Sequence, residues 1–222
     1  VVVDLRLYAL VDPERAGGVP LDALARRVVS GGATLVQLRD KLASTRRLVE
    51  EARAVHRALH GTGVPLIIND RVDVALAVGA EGVHVGQEDM TVEDARRLLG
   101  PNAIIGLSIK TMAQAEAAPI NLLDYVAIGG VFATTSKDNP DPPVGVEGFR
   151  AIAAVVRRRA PVLPVVAIAG IDAGNAASVI AAGADGVAVI SALSLVPDPA
   201  AAAHQLRSVV DEALAMRRGR SV

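Results

Sequence analysis

The chain has 222 residues, 51% of them hydrophobic, which provides for one well-buried core and falls short of two. It contains no cysteine, which removes disulfides, thiolate nucleophiles and cysteine-ligated zinc together, and its net charge of −1 with 2% aromatic residues argues against a nucleic-acid partner. No run approaches ~18 uninterrupted apolar residues, and the start, Val1 to Arg6, carries Asp4 and lacks a signal-peptide layout, so the expectation is a soluble, cytoplasmic protein that acts on small molecules without a membrane.

Eight short runs rich in Val and Ile read as strands: Leu5 to Val11, Leu35 to Arg39, Leu66 to Asn69, Gly82 to Val85, Ile104 to Ser108, Tyr125 to Gly129, Val165 to Ala169 and Gly186 to Ile190. The segments between them read as helices. Leu48, Ala52, Val55 and Leu59 share one helical face ahead of Gly61, and Val179 and Ile180 precede Gly183 at a C-cap position. A degenerate repeat, Gly32-Ala33-Thr34-Leu35-Val36, Gly79-Ala80-Glu81-Gly82-Val83 and Gly183-Ala184-Asp185-Gly186-Val187, ends a helix with glycine and launches a strand each time. Eight such units close into an α/β fold, a single-domain (β/α)8 TIM barrel over 1–222, with 217–222 around Arg217-Arg218-Gly219-Arg220 as a frayed tail. The competing doubly wound sheet often carries a Gly-rich first turn, whereas this one reads Val11-Asp12-Pro13-Glu14-Arg15.

In such barrels chemistry gathers where the strands end. Only three lysines occur beside 20 arginines, and all three, Lys41, Lys110 and Lys137, sit just beyond strand-like runs, which points to an anionic, phosphorylated ligand on one rim. Strand two ends Gln37-Leu38-Arg39-Asp40-Lys41, and alternation turns Gln37 and Arg39 inward and Val36 and Leu38 toward the helices. Arg39 then meets either a ligand or an internal partner, Asp40 or a neighbouring carboxylate. Strand three ends at Asn69-Asp70 and strand four leads through Gln87 to Asp89. These two carboxylates suit either Mg²⁺ or helix capping, and Thr91 with Asp94 offers a separate capping box that partly frees Asp89.

Strand five ends Gly106-Leu107-Ser108-Ile109-Lys110. After strand six, Thr134, Thr135 and Ser136 stand beside Lys137 in a long Pro-rich loop, either a ligand cover or a solvated connector. Backbone N–H groups at Gly170 and Ser191, beyond strands seven and eight, suit a phosphate, although the glycine equally serves a turn. His56 and His60 have the spacing of a zinc pair but lack the neighbouring glutamate, so they read as helix surface. His84 points inward, as a hydrogen-bonded interior residue or as a base.

Together, Gln37-x-Arg39-x-Lys41, Asn69-Asp70, His84-x-Gly86-Gln87-x-Asp89, Gly106-x-Ser108, Thr134-Thr135-Ser136-Lys137, Gly170 and Ile190-Ser191 resemble the thiamine-phosphate synthase family from about Leu7 to Leu214. The resemblance implies condensation of a hydroxymethylpyrimidine diphosphate with a thiazole phosphate, releasing pyrophosphate and forming thiamine monophosphate. It assigns Gln37, Leu38, Arg39, Asp40, Lys41, Asn69, Ser108 and Lys137 to the pyrimidine diphosphate, and Asp70 and Asp89 to Mg²⁺. Thr134, Thr135, Ser136, Gly170, Ile190 and Ser191 go to the thiazole phosphate, and Arg39, Lys41, Ser108 and Lys137 are the catalytic set. Three positions depart from the family pattern. Ala169 replaces the first glycine of a Gly-Gly pair, Gly130 and Ala133 stand where a Gly-Pro...Pro pattern is common, and Lys110 stands where histidine or another residue is usual. The rivals are a thiazole tautomerase on the same barrel and a noncatalytic phosphate-binding barrel, and a homo-oligomer stays open.

Overall fold

The computed structural model describes residues 3–134 and 142–219. Its eight parallel strands are β1 (Leu7–Val11), β2 (Leu35–Leu38), β3 (Leu66–Asn69), β4 (Gly82–Val85), β5 (Ile104–Ile109), β6 (Tyr125–Ile128), β7 (Val165–Ile168) and β8 (Gly186–Val189). They pair in sequence order and close on themselves, with Leu7, Tyr8 and Ala9 of β1 beside Val187, Ala188 and Val189 of β8. The expected (β/α)8 barrel is the fold. A closed sheet has no unpaired edge, and the strands are mostly apolar on both faces because both are covered.

Alternation along the strands sorts side chains into two layers. Tyr8, Leu10, Leu35, Ile67, Ile104, Tyr125, Ala127, Val166, Ala188 and Ile190 fill the barrel interior. Their neighbours Leu7, Ala9, Val36, Leu38, Ile68 and Val83 pack outward against the helices. Those helices are α1 (Leu21–Ser30), α2 (Thr45–Leu59), α3 (Val72–Val78), α4 (Val92–Leu99), α5 (Met112–Ala117), α6 (Gly145–Arg159), α7 (Ala176–Ala181), α8 (Ser191–Ser194) and α9 (Pro199–Gly219). In α2 the apolar face read from the sequence is the buried one, Leu48, Ala52, Val55 and Leu59, and Ser44 caps the helix by accepting from the Arg47 N–H.

Six strands differ from the expected bounds by one or two residues: β1 starts at Leu7, β2, β6, β7 and β8 end one residue early and β5 runs on to Ile109. β7 stops at Ile168 because Ala169 has φ of 87°, outside strand geometry. The tail expected to fray from Arg217 is helical through Gly219. Arg217 donates to the carbonyls of Ile180 (3.0 Å) and Ala184 (2.6 Å) and to Asp185 (3.1 Å), which fixes α9 against α7. Residues 220–222 lie outside the described residues. Ala203, Leu206, Val210 and Leu214 form the buried stripe of α9, each large side chain contributing roughly 1.5–3 kcal/mol. No helix among the described residues is long and apolar enough to cross a membrane.

Candidate active site

The interior is apolar at one end and polar toward the strand C-termini. Gln37, as parity requires, points inward and is 2% exposed; its Nε2 donates to the hydroxyl of Tyr8. The Tyr8 and Tyr125 hydroxyls lie 2.8 Å apart, and the Tyr125 hydroxyl lies 2.9 Å from Nδ1 of His84. The other ring nitrogen of His84 lies 2.8 Å from Oγ of Ser108. His84 is therefore the hydrogen-bonded interior residue of the two readings above. Tyr125 reaches this position because β5 carries Gly106, where a Cβ would sit 2.0 Å from the ring Cζ. Burial pushes the hydroxyl pKa of both tyrosines upward, so both keep their protons.

A charged rim lies at the ends of β1 to β4. Arg39 is paired with Asp12, whose side chain is 1% exposed, and not with Asp40. Asp40 instead accepts from the N–H groups of Leu42 (2.8 Å) and Ala43 (2.9 Å), an Asx turn that shapes the loop carrying Lys41. Lys41 pairs with Asp70, and Asp70 also meets the Asp89 carboxyl. Burial holds the Asp70 carboxyl above its ordinary range, Asp89 pushes it the same way, and Lys41 opposes them. Asp70 does not cap α3, whose N-cap position is Arg71 without a side-chain bond. Thr91 caps α4, and Asp89 accepts from the Gly86 N–H at 2.7 Å. The two carboxylates are thus close together, and the Lys41 ammonium partners Asp70.

Across the rim, a cavity of about 650 Å³ opens at the ends of β5 to β8. It brings together Ser108, Thr134, Gly170, Ile190 and Ser191 from the sequence expectations, and adds Lys110. Gly170 has φ of 66°, and a Cβ there would lie 2.4 Å from the Ala133 carbonyl oxygen, so glycine lets the β6 and β7 loops touch. The N–H of Phe132 donates to the Ala169 carbonyl at 3.1 Å, and Asn175 Nδ2 donates to the Gly170 carbonyl at 2.9 Å. Thr135, Ser136 and Lys137 lie outside the described residues.

Comparisons with known proteins agree along nearly the whole chain. The sequence model described as thiamine monophosphate synthase matches residues 7–193. A thiamine-phosphate synthase of Agrobacterium fabrum is 55% identical over 97% of this chain and 98% of its own length. That of Moorella thermoacetica is 47% identical over 93% and 96%. The chain belongs to the thiamine monophosphate synthase family. A solved thiamine phosphate pyrophosphorylase from Pyrococcus furiosus superposes with a TM-score of 0.83 at 38% identity, covering 96% of this chain and 98% of that one. As a thiamine-phosphate synthase, the chain is a transferase of thiamine biosynthesis that forms thiamine monophosphate.

Within that family the described site falls into two groups. Gln37, Arg39, Lys41, Asn69, Asp70 and Asp89 lie at the ends of β2 to β4, and the cavity residues at β5 to β8. Leu38 is 1% exposed and packs toward the helices, so it can meet a ligand only through its backbone. His56 pairs with Glu81 at 3.2 Å, and no group of three metal-ligating side chains occurs among the described residues. Sequence reading missed Asp12, which holds Arg39, and the pair Tyr8 and Tyr125. A signal existed for the pair: they are the only two tyrosines in the chain, and both take inward positions on strands.

Proposed function

We propose that this rim joins 4-amino-2-methyl-5-hydroxymethylpyrimidine diphosphate to 4-methyl-5-(2-phosphoethyl)thiazole, or its carboxylated form, with release of pyrophosphate. Gln37, Asn69 and Ser108 hold the pyrimidine. Arg39, Lys41 and Lys137 neutralise the diphosphate, with the backbone around Leu38 and Asp40 shaping its edge. Thr134, Gly170, Ile190 and Ser191 take the thiazole phosphate in the cavity on the other side, and the family resemblance gives Thr135 and Ser136 the same ligand.

The observation that carries this reading is the Lys41, Asp70 and Asp89 cluster, with a cavity sized for a phosphorylated heterocycle across the same rim. Two adjoining carboxylates suit a hard divalent cation that fills its remaining positions with water and phosphate oxygens, and Asp70 and Asp89 would hold Mg²⁺ there. Bound Mg²⁺ supplies charge neutralisation at the departing diphosphate oxygens. The chain's own residues do the rest. The carbon–oxygen bond to the diphosphate breaks with its electron pair leaving on oxygen, where Arg39, Lys41 and Lys137 stabilise the charge. The electron-rich aminopyrimidine carries the methylene cation, and the thiazole nitrogen closes the new carbon–nitrogen bond with its own lone pair. No proton has to be removed for that attack, so the site works by positioning and electrostatics. This reading places the enzyme in the cytoplasm.

The test mixes both substrates with Mg²⁺ and measures pyrophosphate and thiamine monophosphate in a single turnover. Arg39→Ala and Lys137→Ala are each expected to slow the chemical step by about 10²–10³. Near-normal rates in both would overturn the assignment.

A further inference from the structure

The cavity at the ends of β5 to β8 carries one group that the reaction above leaves unused, the side chain of Lys110. Among the described residues that line the cavity, Lys110 is the one basic side chain and Asp172 the one acidic side chain. Oδ1 of Asp172 accepts from the Gly174 N–H at 2.8 Å, inside its own turn. Much of the remaining wall is apolar or backbone, from Gly129, Ile168, Ala188 and Val189. The backbone under Lys110 is fixed. Its N–H donates to Oε1 of Gln114 at 2.7 Å, and Gln114 in turn completes the capping box of α5 with Thr111.

The place of Lys110 follows from the strand. It stands two residues beyond Ser108 and continues the inward parity of β5, about 7 Å further out. Ser108 belongs to the pyrimidine half of the site, and Lys110 lines the other half, so the two halves meet at the end of β5. The N–H groups of Gly170 and Ser191 follow β7 and β8, two and three strands away, which is roughly 10 and 14 Å round the sheet. A ligand whose phosphate is anchored at β7 and β8 therefore turns its other end to Lys110.

The chemistry of the thiazole says what that end is. The phosphoethyl arm leaves the ring at C5 and the methyl group at C4. The ring nitrogen has to face the pyrimidine half to attack the methylene carbon, which turns the edge made by the nitrogen and C2 toward β5. C2 is the only ring carbon without a substituent, so the carboxylated form carries its carboxylate there. We infer that Lys110 pairs with this C2 carboxylate and makes the carboxylated thiazole phosphate the preferred substrate. The inference rests on the proposal that the cavity takes the thiazole phosphate. Against the carboxylated ring the ammonium makes a charge-assisted hydrogen bond, and against the uncarboxylated ring it faces a C–H. Turnover of the carboxylated form also releases CO2. Once the nitrogen is alkylated, the bond from C2 to the carboxyl carbon breaks, its electron pair stays on C2 beside the cationic nitrogen, and C2 takes a proton from water.

The test supplies the enzyme with the pyrimidine diphosphate, Mg²⁺ and each thiazole phosphate in turn. In the unmodified enzyme kcat/KM is expected to favour the carboxylated form by about tenfold or more, with one CO2 released for each thiamine monophosphate. Lys110→Met, which keeps the stem and removes the charge, is expected to lower the carboxylated-to-uncarboxylated ratio about tenfold, through KM for the carboxylated form. Lys110→Arg is expected to retain most of the ratio. Lys110→Gln repeats the measurement if Lys110→Met does not fold. No preference in the unmodified enzyme would overturn the inference, and so would an unchanged ratio in the uncharged variant, which would make Lys110 a source of general positive potential. Failure of the underlying function looks different, since the unmodified enzyme would then make no thiamine monophosphate from either ring.

Discussion

Gly106 is the position where packing and chemistry are most directly joined, and Gly106→Ala tests both. An alanine Cβ would lie 2.0 Å from Cζ, 2.4 Å from the hydroxyl oxygen and 2.5 Å from Cε1 of Tyr125, against an ordinary contact of about 3.5–4.0 Å. The Tyr125 ring must therefore shift by more than 1 Å, and being 0% exposed it has no open side. Overpacking of this kind costs about 1–3 kcal/mol. The shift also breaks the bonds to Tyr8 and His84, at about 0.5–1.5 kcal/mol each. Together these predict a loss of roughly 2–6 kcal/mol, measured by urea denaturation. A double-mutant cycle isolates the cause: with Tyr125→Ala already present, Gly106→Ala should cost less than about 1 kcal/mol, because its clash partner is gone. Equal cost in both backgrounds would refute the steric argument.

The remaining predictions concern the rim. Ala169 sits at φ of 87°, a conformation that costs an L-residue about 1–2 kcal/mol; Ala169→Gly recovers it less the added freedom of the unfolded chain, and thermal melting should rise by about 1–4 °C. Asp12→Ala leaves the Arg39 guanidinium, with its side chain 11% exposed, without its partner and should cost about 3 kcal/mol in denaturant titrations while raising KM for the pyrimidine diphosphate. Asp70→Asn keeps a residue type that tolerates the φ of 61° found there and removes a carboxylate whose pKa burial raises above 3.8. Because the folded state binds that proton more tightly, the carboxylate lowers stability as pH rises past its unfolded value. The variant should melt above the parent at neutral pH, the gap should close below pH 3.8, and Mg²⁺ binding by calorimetry should vanish.

Strand positions were legible because β-branched runs flanked by glycine have few alternatives, and alternation alone turned Gln37 inward and Leu38 outward. What sequence could not supply was which loop ends meet. Arg39 has Asp40 beside it in the chain, yet the loop geometry spends that carboxylate on the N–H groups of Leu42 and Ala43, and closure of β1 against β2 brings Asp12 instead. The same limit hid the tyrosines. An alternating pattern counts Tyr8 and Tyr125 as apolar filler, and only closure of the barrel shows that their hydroxyls face each other from strands far apart in sequence. By residue type Asp70 suits either capping or metal binding, and the absence of a side-chain cap on α3 removes the first role. The expectations for Thr135, Ser136 and Lys137 fall outside the described residues.

The ladder that seals the barrel, Leu7 beside Val187, joins the first strand to the last. During synthesis the β1 backbone groups on that side have no partner until nearly the whole chain has been made, and loop closure over so many residues comes late and slowly. Every other strand can meet its neighbour soon after it emerges. A chain that folds as it emerges would pass through an open, seven-stranded sheet with two bare edges, β1 and β7, until β8 joins them and α9, which packs on both α1 and α7, covers the seam. The stretch of synthesis between β7 and α9 is then the one in which unpaired strand edges invite aggregation.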